Sequence, residues 1–167
     1  MRAWCSIILV FFLTGCAGYK LGPTNGAAAG GRTVKFQPFV NKTNEPRLAE
    51  YFSTSLRKQL QQDGTFRLET SGTPDILVTG EILRFERNGL SYEQGDVLTP
   101  QEYTLRVQAR VVAVDVSTGK TFINRTVRGT TFIRINNDEF SAERQALPLL
   151  TDNLARSAVS LLVDGQW

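Results

Sequence analysis

Histidine is absent from the 167 residues, and cysteine occurs only as Cys5 and Cys16. Without histidine there is no His-assisted Ser or Cys triad and no His-liganded metal site. With both cysteines at one end there is no zinc ribbon either. Carboxylates stand singly rather than as a close pair on one face, and Walker-type loops are missing; Gly30-Gly31 precedes a strand pattern, the wrong context for a phosphate loop. The sequence therefore offers no catalytic residue, no metal ligand set and no cofactor motif, and the expectation is a protein that is not an enzyme. An apolar fraction of 41% and a charged fraction of 21% are those of one folded domain rather than a disordered or collagen-like chain.

What is present begins at the N-terminus. Arg2 precedes the apolar run Ile7-Ile8-Leu9-Val10-Phe11-Phe12-Leu13, which is too short for a bilayer-crossing helix of roughly 20 residues but fits a secretory signal peptide over residues 1–15. Leu13-Thr14-Gly15-Cys16 then resembles a bacterial lipobox, with two small residues ahead of the thiol that takes the lipid. Acyl chains anchor at about 0.8 kcal/mol per buried CH₂, so several chains hold firmly. Ala17, rather than Asp, follows the cysteine, which in bacterial lipoproteins implies the outer membrane. Cleavage before Cys16 removes Cys5, leaving no free thiol and no internal disulfide, so the body depends on packing.

Residues 16–31 form the lipidated cysteine and a glycine-rich tether whose large apolar groups are Tyr19 and Leu21. Its reach is at most about 50 Å. Residues 32–167 form a single periplasmic domain. Alternation predicts a strand over residues 33–39, with Pro38 near its end, then a turn over 41–44. A helix is expected from about Glu45, with Leu48, Phe52, Leu56 and Leu60 as its buried stripe and Gly64 as its stop. Short strand 66–69, strand 75–87, loop 88–100, strand 103–116 and a returning strand 121–133 follow, with Gly129 a candidate bulge. Residues 115–120 read as a hairpin turn. The stretch 138–163 is helical, with Pro148 expected to kink or divide it. The order predicts an α+β fold: a two-layer α/β sandwich with two helices on one face of a mixed four- to five-stranded sheet.

Charge is unevenly placed. Between Tyr103 and Arg134, six basic residues (Arg106, Arg110, Lys120, Arg125, Arg128, Arg134) meet one acidic residue, Asp115, whereas acidic residues prevail beyond Ile135. Arg106 and Arg110 share a face by alternation, and Arg125 or Arg128 joins them according to register. Arginine forks suit phosphate; the plain alternative is a solvated face that keeps the sheet soluble. Nucleic acid is excluded as a partner for a protein lipidated in the envelope.

The start Cys16-Ala17-Gly18-Tyr19-Lys20-Leu21, the segment Val34-Lys35-Phe36-Gln37-Pro38-Phe39-Val40-Asn41-Lys42-Thr43, and Tyr103-Thr104-Leu105-Arg106-Val107 ahead of Thr118-Gly119-Lys120 resemble the LptE family of outer-membrane lipopolysaccharide-assembly lipoproteins. The resemblance implies a non-catalytic plug and assembly partner inside an LptD-like β-barrel translocon subunit, with lipopolysaccharide as ligand and a lipid anchor in the outer membrane. One of the family's basic lipopolysaccharide contacts falls near Pro148, which is not basic. Those roles are therefore not carried over, and Arg106, Arg110, Arg125 and Arg128 are candidates on local charge alone. Segments such as Asp75-Ile76-Leu77-Val78-Thr79-Gly80 also resemble periplasmic lipoproteins that activate peptidoglycan synthases or build curli pores. An adaptor for such an envelope machine is the alternative.

Overall fold

The structure, a computed structural model, describes residues 30–93, 96–135 and 138–164. The segment read as a signal peptide (residues 1–15), the expected lipidation position Cys16 and the stretch read as a tether, up to residue 29, lie outside the described residues. Eight elements follow in order: β1 (Arg32–Phe36), β2 (Val40–Asn41), α1 (Leu48–Asp63), β3 (Phe66–Leu68), β4 (Ile76–Glu93), β5 (Asp96–Asp115), β6 (Thr121–Arg134) and α2 (Glu139–Asp164). The sheet runs β3-β1-β4-β5-β6, and β2 also pairs with β4. β1 is parallel to β3 and β4, and β5 lies antiparallel between β4 and β6. This is the expected two-layer α+β sandwich with six strands, the two-residue β2 being the addition.

Alternation sets the inner face. Leu105, Val107, Ala109, Val111 and Ala113 of β5 are fully buried, as are Ile76, Val78 and Ile82 of β4. Burial of a leucine- or valine-sized side chain stabilises by about 1.5–3 kcal/mol, so this row fixes which face the helices cover. α1 brings Leu48, Phe52, Leu56 and Leu60 down every four residues, and Phe52 meets Phe39 edge to face at 4.8 Å. Gly64 ends the helix at φ 75°, where its N–H donates to the Leu60 carbonyl; glycine takes this left-handed geometry without a Cβ clash.

Several expectations are corrected. α1 begins at Leu48 rather than Glu45, because Asn41 Nδ2 donates to the Glu45 carbonyl at 2.8 Å and Pro46 disfavours helical geometry at the residue before it. The strand read as 33–39 ends at Phe36, ahead of Pro38, and the short β2 at Val40–Asn41 lies beyond it, where a turn was expected to begin at 41. The segment read as a loop over 88–100 is mostly strand, since β4 and β5 run on as a ribbon past Asn88↔Thr104 and Gly89↔Tyr103. Pro148 does not divide α2, which is continuous from Glu139 to Asp164. Its neighbours Leu147 and Leu150 are buried, and their packing offsets the roughly 3 kcal/mol that an interior proline costs. Thr151 Oγ1 lies 3.0 and 3.1 Å from the Leu147 and Pro148 carbonyls beside the break in the ladder.

Gly129 is not a bulge. The β5–β6 register runs evenly through Val107↔Gly129 and shifts only between Ala113 and Val114. The glycine instead lets α2 touch the sheet: a Cβ there would lie 2.8 Å from the Leu150 carbonyl oxygen. The 115–120 turn is as expected, with Gly119 at φ 69° and the Asp115 N–H donating to the Lys120 carbonyl.

Candidate functional site

The helices leave the other face of the sheet open, and register places its side chains in rows. Gln108 is the centre. Its direct neighbours are Arg84 on β4 and Arg128 on β6, each about 5 Å away across the strands. Arg106 and Arg110 flank it along β5 at about 7 Å. Four guanidinium groups thus surround one half-buried amide. Arg106, Arg110 and Arg128 are exposed and have no salt bridge among the described residues.

Acidic residues temper this face at its β4 side. Glu86 stands opposite Arg106 and Glu81 opposite Arg110, while Arg84 pairs with Glu86 at 3.2 Å and Lys42 with Glu81 at 2.8 Å. The hydrogen bond from Lys42 holds the Glu81 carboxyl below the usual carboxylate range, and the charge of Arg110 adds to this. Arg134 pairs with Glu102 at the far end of the face. The positive character is therefore concentrated on β5 and β6, where no acidic residue intervenes between Arg106, Arg110 and Arg128.

Register decides among the sequence candidates. Arg128, opposite Gln108, joins Arg106 and Arg110. Arg125 does not: it stands opposite the buried Val111, so it lies on the helix side, lining a hollow with Ser157, Ser160 and Asp164. Arg84 is the member that sequence reading missed. A bulge between Ile82 and Arg84 turns Arg84 and Glu86 outward and Phe85 and Arg87 inward. The signal available was a break in alternation, since Phe85 would be an outward residue in a regular strand. Arg87 instead reaches the buried Glu143 of α2 at 2.7 Å and lies over the Phe85 ring at 5.3 Å.

Such a face can hold a ligand bearing more than one anionic oxygen group through charge-assisted guanidinium bonds. Among the described residues no cluster of acidic or sulfur ligands is arranged for a metal ion, and no helix is long and apolar enough to cross a membrane.

The sandwich is shared with solved structures. They include the hypothetical protein CT253 from Chlamydia trachomatis (TM-score 0.57, 14% identity, covering 80% of this chain and 97% of that one). A minor lipoprotein from Acinetobacter baumannii is similar (0.53, 13%, 80% and 93%), as is PelC, a dodecamer, from Paraburkholderia phytofirmans (0.54, 17%, 82% and 92%). At these identities the likeness is one of fold. Residues 31–163 match the family LptE, lipopolysaccharide-assembly. The chain belongs to the LptE family, and its role is in lipopolysaccharide assembly. No curated protein sequence matches it.

Proposed function

We propose that this chain is an outer-membrane lipoprotein, lipidated on Cys16 after removal of residues 1–15, that plugs and helps assemble the lipopolysaccharide-translocating β-barrel. The role is non-catalytic: shape and charge act, not bond chemistry. The observation that supports it is the uncovered sheet face with Arg106, Arg110 and Arg128 around Gln108, in a chain of the lipopolysaccharide-assembly family. A barrel lumen is polar, so an open charged face is compatible with it. Lipopolysaccharide carries phosphates beside acyl chains, and arginine forks match phosphate. The three arginines are the proposed lipopolysaccharide contacts; Arg125 is left out because it faces the helices.

Photo-crosslinkers at positions 110 and 128, followed by purification from detergent-solubilised outer membrane, test the reading. One large heat-modifiable barrel protein should be trapped, and the intact mass should show an acylated Cys16 at the N-terminus. Adducts confined to a cell-wall synthase would establish the adaptor alternative instead. An unmodified mature N-terminus would remove the anchor from the account.

A further inference from the structure

The arginine face has a layout as well as a charge. Its rows across β5 and β6 run Arg106–Thr130, Gln108–Arg128 and Arg110–Thr126. Arg128 therefore lies on the diagonal to both Arg106 and Arg110, about 7–8 Å from each, while those two stand about 14 Å apart along β5. The rows on either side of the centre repeat one pair: an arginine of β5 and a threonine of β6, both exposed. Two equivalent stations result, Arg106 with Thr130 and Arg110 with Thr126. They share Arg128 and lie about 7–14 Å apart, with the half-buried amide of Gln108 between them.

The charges on this face do not cancel. Glu86 is taken up by Arg84 and Glu81 by Lys42, so Arg106, Arg110 and Arg128 are left over, with no salt bridge among the described residues. The two stations differ in what adjoins them. One row beyond Thr130 on β6, opposite Thr104, Phe132 is 66% exposed on the same face. At the equivalent place beyond Thr126 stands Asn124. An exposed aromatic ring thus borders the Arg106 station, and a polar amide borders the other.

We infer that this face is a two-station phosphate site for a lipid whose headgroup carries two phosphates, one at each station, with the acyl part leaving over Phe132. The inference rests on the lipopolysaccharide reading and deepens it: that reading asks only for an anionic ligand, whereas two stations count phosphates and orient the lipid. An arginine fork suits each phosphate, and the neighbouring threonine hydroxyl can donate to the same group. Once one phosphate is seated, the second arrives at the high effective concentration of a tethered group. Affinity then follows the number of phosphates on one headgroup rather than total charge. A soluble bisphosphate is the poorer occupant, because it leaves the Phe132 ring in water.

The test uses the mature lipoprotein in non-ionic detergent micelles doped with diphosphoryl or monophosphoryl lipid A, with binding followed by titration calorimetry. The diphosphoryl form should bind at least about tenfold more tightly, a difference of roughly 1.4 kcal/mol. Arg106→Gln and Arg110→Gln should each bring the diphosphoryl lipid down to the monophosphoryl level while monophosphoryl binding holds, because one station remains. Phe132→Ser should weaken both lipids alike. A water-soluble alkane bisphosphate should bind more weakly than the diphosphoryl lipid, and equal affinity would overturn the lipid assignment. Equal affinity for the two lipids would overturn the two stations while leaving the lipopolysaccharide reading standing. Binding of neither lipid, with the barrel still trapped by the crosslinkers, would remove the face as a lipopolysaccharide contact and the inference with it. The comparison of the two lipids is made on the wild-type chain, so it stands even if a variant misfolds.

Discussion

Replacing Gly129 by alanine should destabilise the domain although it adds one methyl group to a strand. The added Cβ would lie 2.8 Å from the Leu150 carbonyl oxygen and 2.9 Å from both the Leu154 nitrogen and the Leu154 Cβ. Two of these are backbone atoms of α2, so no side-chain rotation relieves the clash, and the helix must lift off β6. Overpacking of this kind costs about 1–3 kcal/mol. Alanine recovers about 0.4–1 kcal/mol by restricting the unfolded chain, leaving a net loss of about 1–2 kcal/mol. For a domain of this size that lowers Tm by roughly 3–8 °C. Lifting α2 also lengthens the bonds from Asn153 and Ser157 to the β6 edge, so amide exchange should quicken there before the rest of the sheet. Urea titration of the mature wild-type and variant proteins gives the free energies, and exchange mass spectrometry gives the location. An alanine variant as stable as wild type, or more so, would refute the close-contact reasoning and return Gly129 to the role of a tolerated strand irregularity.

Two further outcomes follow from the same geometry. Arg106→Glu with Arg110→Glu should weaken lipopolysaccharide capture by about tenfold or more, the loss expected when charge-assisted hydrogen bonds are removed. Arg125→Glu, on the helix side, should leave capture unchanged, and equal effects from both variants would refute the face assignment. Asp115 is held below the usual carboxylate range first by the Ser117 hydroxyl, then by the Thr118 N–H and hydroxyl and by Arg32. A depressed folded-state value means that its contribution is present above the unfolded value near 3.9 and is lost as pH falls toward the depressed one. Asp115→Asn should therefore lower stability at pH 7 and flatten the acid decline below about pH 4; denaturation profiles that stay parallel from pH 7 to pH 2 would contradict this.

Much of the fold is legible because it rests on local rules. The stripe of Leu48, Phe52, Leu56 and Leu60 predicts α1, and its burial in the structure follows from the helical period alone. The inward row from Leu105 to Ala113 follows from strand alternation in the same way, and Gly119 supplies the turn geometry that its position predicts. Elsewhere local rules mislead. Asn88-Gly89 is a turn former by composition, yet it continues a strand because Thr104 and Tyr103 pair with it. Pro148 is a helix breaker by chemistry, yet it sits inside α2 because Leu147 and Leu150 are committed to the core.

The candidate site divides along the same line. Residue type and spacing by themselves determined that the chain has no histidine chemistry, that a pattern resembling a signal peptide and lipobox ends at Cys16, that basic residues gather between Tyr103 and Arg134, and that Arg106 and Arg110 share a face. Only the tertiary structure decided that Arg128 rather than Arg125 completes that face, that Arg84 borders it, and that beyond Ile82 β4 pairs with β5 alone among the described residues. The reason is register: a slip of one residue, or one bulge, turns every following side chain and backbone group to the opposite side, and register is set by pairings between residues distant in the chain.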